Sequence, residues 1–263
     1  MTARARAGGF GTQLNVLRAL IVREALRNHG HENMGFFWVI LEPLMFALAV
    51  ALVWTVLDRN HGHPEINTVT LAVTGYISVT LWRHTVAKSR KVLRHNLSLR
   101  YHAFIRPLDI YLGHGVMEVL GCLAAFYVAY VPLSILGVID PMRDPLLAMG
   151  GFGLHAWFCL SFGLIIASLS ELSELVSEVL PVTMYITLPL TGIFTMQSWM
   201  PETARDILSW SPMVNTIELF RNGMFSADVT TYWDAWYVVW WCFAQTVVAL
   251  MLFDYARRRV DMD

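Results

Sequence analysis

Long apolar runs separated by polar segments dominate this chain, and six of them are long enough to predict membrane-spanning helices. A helix needs about 20 apolar residues to cross roughly 30 Å of hydrocarbon. The runs do not alternate apolar with polar positions, so the strands of a membrane barrel are not predicted. The predicted spans are Phe36–Leu57, Ile66–Trp82, Leu108–Ile139, Leu146–Leu169, Val176–Met196 and Ala235–Phe253. The third run exceeds one crossing, and its span is placed at 112–139.

Six crossings would place most basic residues on one side of the membrane. All but four of the 19 Lys and Arg residues lie before the first span, within Arg83–Arg106, or in the C-terminal run Arg257 to Arg259. Cytoplasmic loops are enriched in Lys and Arg, so both termini are predicted to be cytoplasmic. No repeat or linker divides the chain, so residues 1–263 are predicted to form one all-α integral membrane domain.

Composition agrees with a bilayer as the main surroundings of the chain. Of 263 residues, 56% are hydrophobic and 15% are charged, whereas soluble domains carry about 25% charged residues. A net charge of −1 indicates no nucleic-acid partner. The cysteines Cys122, Cys159 and Cys242 lack the spacing of a disulfide framework or a zinc site, so no metal is predicted. No small-residue cleavage site follows the first basic residues, so no cleavable signal peptide is expected.

The first span contains an acidic residue followed by a proline, Glu42 and Pro43. Glu42 would lie about 9 Å inside a helix that starts at Phe36. A charge at the bilayer centre costs about 2.5–3.5 kcal/mol on insertion scales, and Pro43 removes a backbone donor. Two interpretations are open. Glu42 is either a snorkelling side chain beside a harmless kink, or part of a conformational joint in which it pairs with a cation of a neighbouring helix.

The segment Arg83–Arg106 interleaves cations with apolar residues and carries no acid. It is either a retention segment that lies on anionic lipid, or a docking helix whose apolar side chains fill the groove of a cytoplasmic partner. The earlier stretch QLNVLRALIVREALRN is weakly amphipathic, and it is predicted to form an N-terminal interfacial helix.

Two short helices are predicted between the fifth and sixth spans, at Pro201–Ser209 and Pro212–Asn222. Each is too short to span, so the pair is predicted to form a re-entrant or interfacial hairpin. Glu218 and Arg221 have the i,i+3 spacing of an ion pair. Tryptophans of this region are either interfacial anchors or a face on which sugars stack: Trp199, Trp210 and Trp233.

Together these segments resemble the permeases of type-2 ATP-binding-cassette transporters, above all the branch that exports bacterial capsule polysaccharide. The family's Gly-x-x-Trp-x-x-x-Glu-Pro pattern is matched by Gly35, Trp38, Glu42 and Pro43. The stretch SPMVNTIELFRNGMF is similar to the family signature near the last span, with the matching residues Pro212, Asn215, Glu218, Arg221 and Gly223. The resemblance runs over nearly the whole chain.

The resemblance implies a permease subunit of an ATP-driven exporter of capsular polysaccharide in the bacterial inner membrane. It implies a second copy of this chain and two cytoplasmic ATPase subunits, which would hold the ATP and magnesium. This chain would need no cofactor. Periplasmic and outer-membrane export proteins are further implied partners, and the substrate would be a glycan with or without a lipid end.

The resemblance also implies roles for particular residues. The coupling helix that docks the ATPase would include Arg90, Lys91, Leu93, Arg94, Leu97 and Arg100. Gating is assigned to Glu42, Pro43, Pro212, Glu218, Arg221 and Gly223. The substrate path is assigned to Arg23, Trp38, Arg83, Trp199 and Trp210.

Other functions remain open at this stage. O-antigen and teichoic-acid permeases share much of the same pattern. A secondary carrier would need an intramembrane ion site, for which the ionisable candidates are Asp109, Glu118, His155 and Glu178, and internal repeats, which are absent. A membrane transferase would need a catalytic cluster, but Glu171, Glu174 and Glu178 have the spacing of a helix face. The chain has no phosphate-loop motif, so it is not predicted to be an enzyme and no catalytic residue is assigned.

Overall fold

The computed structural model describes residues 10–27, 35–57, 66–90, 92 and 106–260, and these residues form helices joined by turns and irregular segments. The all-α prediction is confirmed for this part of the chain. The α-helices are α1 Phe10–Arg27, α2 Gly35–Val56, α3 Thr68–Ser89, α4 Pro107–Ile135, α5 Pro145–Leu172, α6 Glu174–Thr187, α7 Glu202–Ser209, α8 Pro212–Met224 and α9 Ala235–Val260. Short 3-10 helices cover Leu188–Thr191 and Gln197–Trp199.

Three of these helices are long and apolar enough to cross a membrane by length and composition, namely α4, α5 and α9. A shorter apolar stretch, Leu44–Val56, lies within α2. Much of the outward surface of α9 is apolar, with exposed side chains that include Trp236, Trp240, Phe243 and Met251. An apolar surface of this kind suits lipid better than water.

Helix α3 continues to Ser89, past the predicted end of the second span at Trp82. The helix begins where the Asn67 side chain accepts hydrogen bonds from the backbone N–H groups of Val69 and Thr70. Its buried hydroxyls bond back to its own carbonyls, as Thr74 does to Thr70 and Ser78 does to Thr74. Polar residues therefore do not end this helix.

The fifth predicted span is shorter in the structure than the predicted 176–196. Helix α6 ends at Thr187 and is followed by one 3-10 turn, Leu188–Thr191. Pro189 lacks the N–H group that would continue the helix, and Gly192 adopts a left-handed backbone with φ of 77°. Arg221 donates hydrogen bonds to the carbonyls of Ile193 and Thr195, so these backbone acceptors are paired although they follow the helix.

Two ends of the helix bundle are distinguished by their contacts. One hydrophobic cluster gathers Leu20 of α1, Val92 just after α3, Ile110 of α4 and Phe253 of α9. The ends of α3 and α9 and the start of α4 therefore meet on one side, here called the basic end because Arg90 and Arg257 lie there. At the opposite end, Asn67 donates a 2.7 Å hydrogen bond to the carbonyl of Val138.

Helix α8 packs closely against α5 because two glycines allow the backbones to approach. A Cβ atom on Gly151 would lie 2.5 Å from the backbone nitrogen of Phe220, and one on Gly223 would lie 2.3 Å from that of Ala148. The Phe220 ring packs edge-on against the rings of Phe126 and Phe152. This contact places α8, and with it the residues of the family signature, inside the bundle.

Candidate functional site

An ionic cluster joins α2, α3 and α4 toward the basic end, and it is here called the Glu118 cluster: Glu42, His84, Lys88 and Glu118. Glu118 is only 2% exposed. Its Oε2 atom lies 3.1 Å from Nδ1 of His84, and its Oε1 atom accepts a hydrogen bond from the Lys88 ammonium group. The other imidazole nitrogen, Nε2, lies 3.6 Å from Oε1 of Glu42.

The partners on α3 explain how a buried carboxylate is tolerated here. Removing a carboxylate from water costs several kcal/mol unless cations and donors compensate for the lost hydration. Lys88 supplies a cation. Both ring nitrogens of His84 are donors when the ring is protonated. His84 therefore lies between Glu42 of α2 and Glu118, 3.6 Å from one carboxylate and 3.1 Å from the other, and both contacts are ion pairs when its ring is protonated.

A cavity of about 270 Å³ adjoins this cluster and is here called the inner cavity. Its lining combines aromatic, hydroxyl and charged side chains from α2, α3 and α6: Glu42, Phe46, Tyr76, Thr80, Arg83, His84 and Tyr185. Nη2 of Arg83 donates a 3.1 Å hydrogen bond to the hydroxyl of Tyr185. The inner cavity thus offers one guanidinium group together with ring faces and hydroxyls.

Arg90 extends the same connections toward the predicted docking segment. Its Nη1 atom donates a 3.1 Å hydrogen bond to the carbonyl of Ser177 on α6. The other predicted docking residues, Lys91, Leu93, Arg94, Leu97 and Arg100, lie outside the described residues, and their role stays a prediction. At its end, α3 is therefore tied to α6 as well as to α4.

The hairpin signature forms a second buried cluster, centred on Arg221. Arg221 is fully buried, and its guanidinium donates to the carbonyls of Gly192, Ile193 and Thr195 at 2.8–3.0 Å. Glu218 lies 3.9 Å from it. Glu218 accepts instead from the backbone N–H groups of Gln197 and Tyr232.

These bonds attach two irregular segments to α8. Arg221 bonds to the segment after α6. Glu218 bonds to the same segment at Gln197 and to the segment before α9 at Tyr232. The guanidinium fork suits this task because its donors point in fixed directions, which a lysine ammonium does not match. The arrangement stabilises the positions of these segments. The gating role of Pro212, Glu218, Arg221 and Gly223 stays a prediction.

His155 belongs to the same packed region. Its ring nitrogens lie 2.9 Å from the hydroxyl of Thr216 on α8 and 2.9 Å from the carbonyl of Ser78 on α3. The ring is 1% exposed, so it acts in packing and does not line an open path. Among the described residues, no group of three or more His, Cys, Asp and Glu side chains is arranged to hold a metal ion.

The remaining predicted residues are scattered. Arg23 is exposed on α1, Trp199 is half-buried, and Trp210 is 77% exposed at the end of α7. Trp38 and Pro43 lie within α2, and their side chains are outside the described ones. The structure thus brings Glu42 and Arg83 to one cavity, whereas Trp199 and Trp210 belong to the region around α7 and α8.

The candidates for other functions do not converge. Asp109 accepts a hydrogen bond from the Arg106 backbone at the start of α4, Glu178 is exposed on α6, and Glu118 lies in its own cluster. Glu171 is buried at the end of α5, whereas Glu174 is exposed. These placements do not support an ion site of a carrier or the catalytic cluster of a transferase.

Sequence reasoning missed His84 and Lys88, and it considered Glu118 only as part of an ion site. The available signal was the i,i+4 spacing of His84 and Lys88, which places both on one face of a helix. Lys88 was counted only among the cations of Arg83–Arg106.

A family model described as ABC-2 type transporter matches residues 15–225. The chain belongs to the ABC-2 type transporter family. Membership confirms the resemblance drawn from the Glu42–Pro43 and Arg221 patterns. Both patterns, and every residue of the Glu118 cluster, lie within the part of the chain that the ABC-2 model covers.

Named ABC-2 relatives cover most of the chain. It is 31% identical over 227 residues to the capsule polysaccharide export inner-membrane protein CtrC of Neisseria meningitidis, covering 86% of this chain and 85% of the relative. It is 30% identical over 220 residues to the capsule polysaccharide export inner-membrane protein BexB of Haemophilus influenzae, covering 84% and 83%. The polysialic acid transport protein KpsM of Escherichia coli is 22% identical over 217 residues, covering 82% and 83%.

Proposed function

We propose that this chain is the membrane permease subunit of an ATP-driven exporter that moves capsular polysaccharide from the cytoplasm across the bacterial inner membrane. The family match and the similarity to CtrC and BexB, which are capsule polysaccharide export proteins, support the substrate class. ATP and magnesium would be bound by separate ATPase subunits, and the chain itself would carry no cofactor.

The proposed topology has six crossings and cytoplasmic termini. The crossings would be α2, α3, α4, α5, α6 with the segment after it, and α9, while α1 would lie at the interface and α7 and α8 would form the hairpin. The meeting of α1, the end of α3, the start of α4 and the end of α9 at the basic end supports this arrangement. Lys and Arg concentrate at these places, as expected for the cytoplasmic side.

The single observation that carries the mechanism is the contact chain from Lys88 through Glu118 and His84 to Glu42. ATP-driven closure of two partner subunits would push on the segment Arg83–Arg106. The end of α3 would move with that segment, and the ionic contacts would pass the motion to Glu42. Pro43, which follows it, would let α2 bend. Glu42 is thus interpreted as part of a conformational joint.

The substrate path is proposed to pass the inner cavity and to be completed by a second copy of the chain. The Arg83 guanidinium, which lies 5.0 Å from the centre of the Tyr185 ring, would attract acidic groups of a capsule polymer. The rings of Phe46 and Tyr76, which stack on each other, would lie beside its sugars. The hairpin residues Pro212, Glu218, Arg221 and Gly223 are proposed to gate the far side. Periplasmic and outer-membrane export proteins would receive the polymer.

Deletion of the gene tests the proposal directly. We expect polymer to accumulate inside the cell, and the chemical analysis of that polymer separates capsule from O-antigen or teichoic acid. Loss of synthesis would indicate a transferase, and continued surface polymer would rule out export by this chain. Purification of the tagged chain is expected to retain an ATPase subunit.

A further inference from the structure

A second cavity, of about 530 Å³, lies between the turn that joins α7 to α8 and the start of α9. We call it the aromatic cavity, because four rings contribute to its lining: Trp210, Tyr232, Trp233 and Tyr237. Asn215 and Asp234 add an amide and a carboxylate. It shares no lining residue with the inner cavity, and the mechanism proposed above does not use it.

Hydrogen bonds within the wall hold the aromatic cavity in shape. The Asn215 amide donates to the carbonyls of Ser209 and Ser211 at 2.6 and 3.0 Å, and its oxygen accepts from the backbone N–H of Asp234 at 2.9 Å. The Tyr237 hydroxyl donates to the carbonyl of Trp210 at 2.7 Å. These hydrogen bonds thus connect the turn to the start of α9 at two points.

The rings have different exposures and different neighbours. Trp210 is 77% exposed, whereas Tyr232 and Trp233 are each 39% exposed. The Arg205 guanidinium lies 4.4 Å from the centre of the Tyr232 ring, so one face of that ring already has a cation. Trp210 and Trp233 offer the large ring surfaces that remain accessible.

We propose that the aromatic cavity binds a sugar ring of a glycan. One face of a pyranose carries C–H groups that stack on electron-rich ring faces, and its edge carries hydroxyls that donate to a carboxylate such as Asp234. The volume lies within the range of about 300–1,000 Å³ that is typical of small-molecule sites lined by aromatic side chains and a few polar groups.

Size and charge distinguish a sugar from other ligands. An ammonium group needs little more room than one water molecule, about 30 Å³, and would leave most of the cavity empty. A phosphate or carboxylate would meet the Asp234 carboxylate, which repels it. A hydrocarbon chain would strip water from Asp234 without replacing its hydrogen bonds.

The neighbouring charges indicate an aqueous location. Glu202 and Asp206 of α7 are exposed, and such side chains are costly in hydrocarbon. The start of α9 is the end opposite Arg257, Arg258 and Arg259, which places the cavity outside the membrane in the proposed topology. The inference rests on the proposed function in this respect, because the sugar would be a unit of the exported polymer after it has crossed.

Site-directed photo-crosslinking in cells that make the polymer tests the inference. Benzoylphenylalanine replaces Trp233 in the cavity, or Trp240 on the apolar surface of α9 as the matched exposed control. A third position, Tyr185 in the inner cavity, reports passage of the polymer. We expect a glycan-bearing adduct at 233 that disappears when polymer synthesis is blocked, and none at 240.

Each other result has a defined meaning. A lipid or protein adduct at 233 without glycan overturns the inference and identifies the occupant. A glycan adduct at 185 but none at 233 overturns it while leaving export by this chain intact. Polymer that still reaches the surface in the deletion strain refutes the proposed function itself.

A pair of variants measures how much the cavity contributes. Trp210→Ala is expected to lower the glycan adduct at 233 about three- to tenfold, the range for losing one aromatic contact. Trp240→Ala should leave it unchanged, with membrane levels of both variants equal by immunoblot. An undiminished adduct in Trp210→Ala would contradict stacking on that ring.

Discussion

At the scale of single residues, Glu118 is the side chain whose surroundings are most specific. It is buried between a lysine and a histidine of the neighbouring helix, and neither partner is close to it in the sequence. Replacing the carboxylate with an amide keeps its shape but removes its charge. This substitution therefore separates the electrostatic contribution of Glu118 to stability from its packing contribution.

We expect Glu118→Gln to destabilise the protein by about 1.5–3 kcal/mol, the range for hydrogen bonds to charged groups. Thermal unfolding of the purified protein in detergent measures the change. Lys88→Met should cost a comparable amount, and the double variant should cost less than the sum because the two residues share one interaction. Additive effects would show that Lys88 does not stabilise Glu118.

Glu42 distinguishes the two interpretations of the first span. We expect Glu42→Gln to change stability by less than about 0.5 kcal/mol, since the side chain is 42% exposed, but to lower polymer export several-fold. Glu202→Gln, an exposed acid on α7, is the matched control and should export normally. Normal export by Glu42→Gln would leave only the snorkelling interpretation. The measurement is surface polymer per cell at equal protein level.

At the scale of helices, the close approach of α8 to α5 can be tested by adding a single methyl group between them. We expect Gly223→Ala to destabilise by about 1–3 kcal/mol, because the added Cβ would overlap the backbone of Ala148. Gly153→Ala on α5 meets no atom within 4 Å and should be neutral or stabilising by about 0.5–1 kcal/mol. The measurement compares the unfolding temperatures of the two variants in the same detergent. Equal temperatures would mean that α8 can shift away from α5.

Helix prediction from the sequence succeeded where apolar length alone decides the outcome. Helices α2, α4, α5 and α9 follow the predicted runs, and α7 and α8 begin near the prolines that predict them. The ends of α3 and α6 differ from the ends of the predicted spans, because α3 continues to Ser89 and α6 ends at Thr187. Arg83 bonds to Tyr185 and Arg221 bonds to the carbonyls after Gly192, and contacts between residues so far apart leave no local pattern.

The candidate site was predicted in part, for the same reason. Glu42, Arg83 and Arg90 were named from the sequence, and the structure places them near one another around the inner cavity and the end of α3. Their common partner Glu118 was not connected with them. The side chains that line the aromatic cavity come from the turn before α8, from Asn215 within it, and from the segment at the start of α9. Of these, only Trp210 and Trp233 were recognised as candidates for sugar contact.

At the scale of the whole molecule, the Lys and Arg residues of the basic end predict the orientation of the chain in the membrane. We expect an alkaline phosphatase fusion after Asp263 to be inactive and a green fluorescent protein fusion there to fluoresce, because both results require a cytoplasmic C-terminus. A phosphatase fusion at Arg143, between α4 and α5, should be active. An active phosphatase at the C-terminus would contradict the six-crossing topology and the mechanism built on it.

The bond between Lys88 and Glu118 has a consequence for how force enters the molecule. Helices α3 and α4 flank the stretch from 91 to 105, and this bond joins them a short distance beyond it. If a partner displaced this stretch, the bond would couple the movement of α3 to that of α4. Such coupling would favour a tilt of both helices over local unwinding of either one.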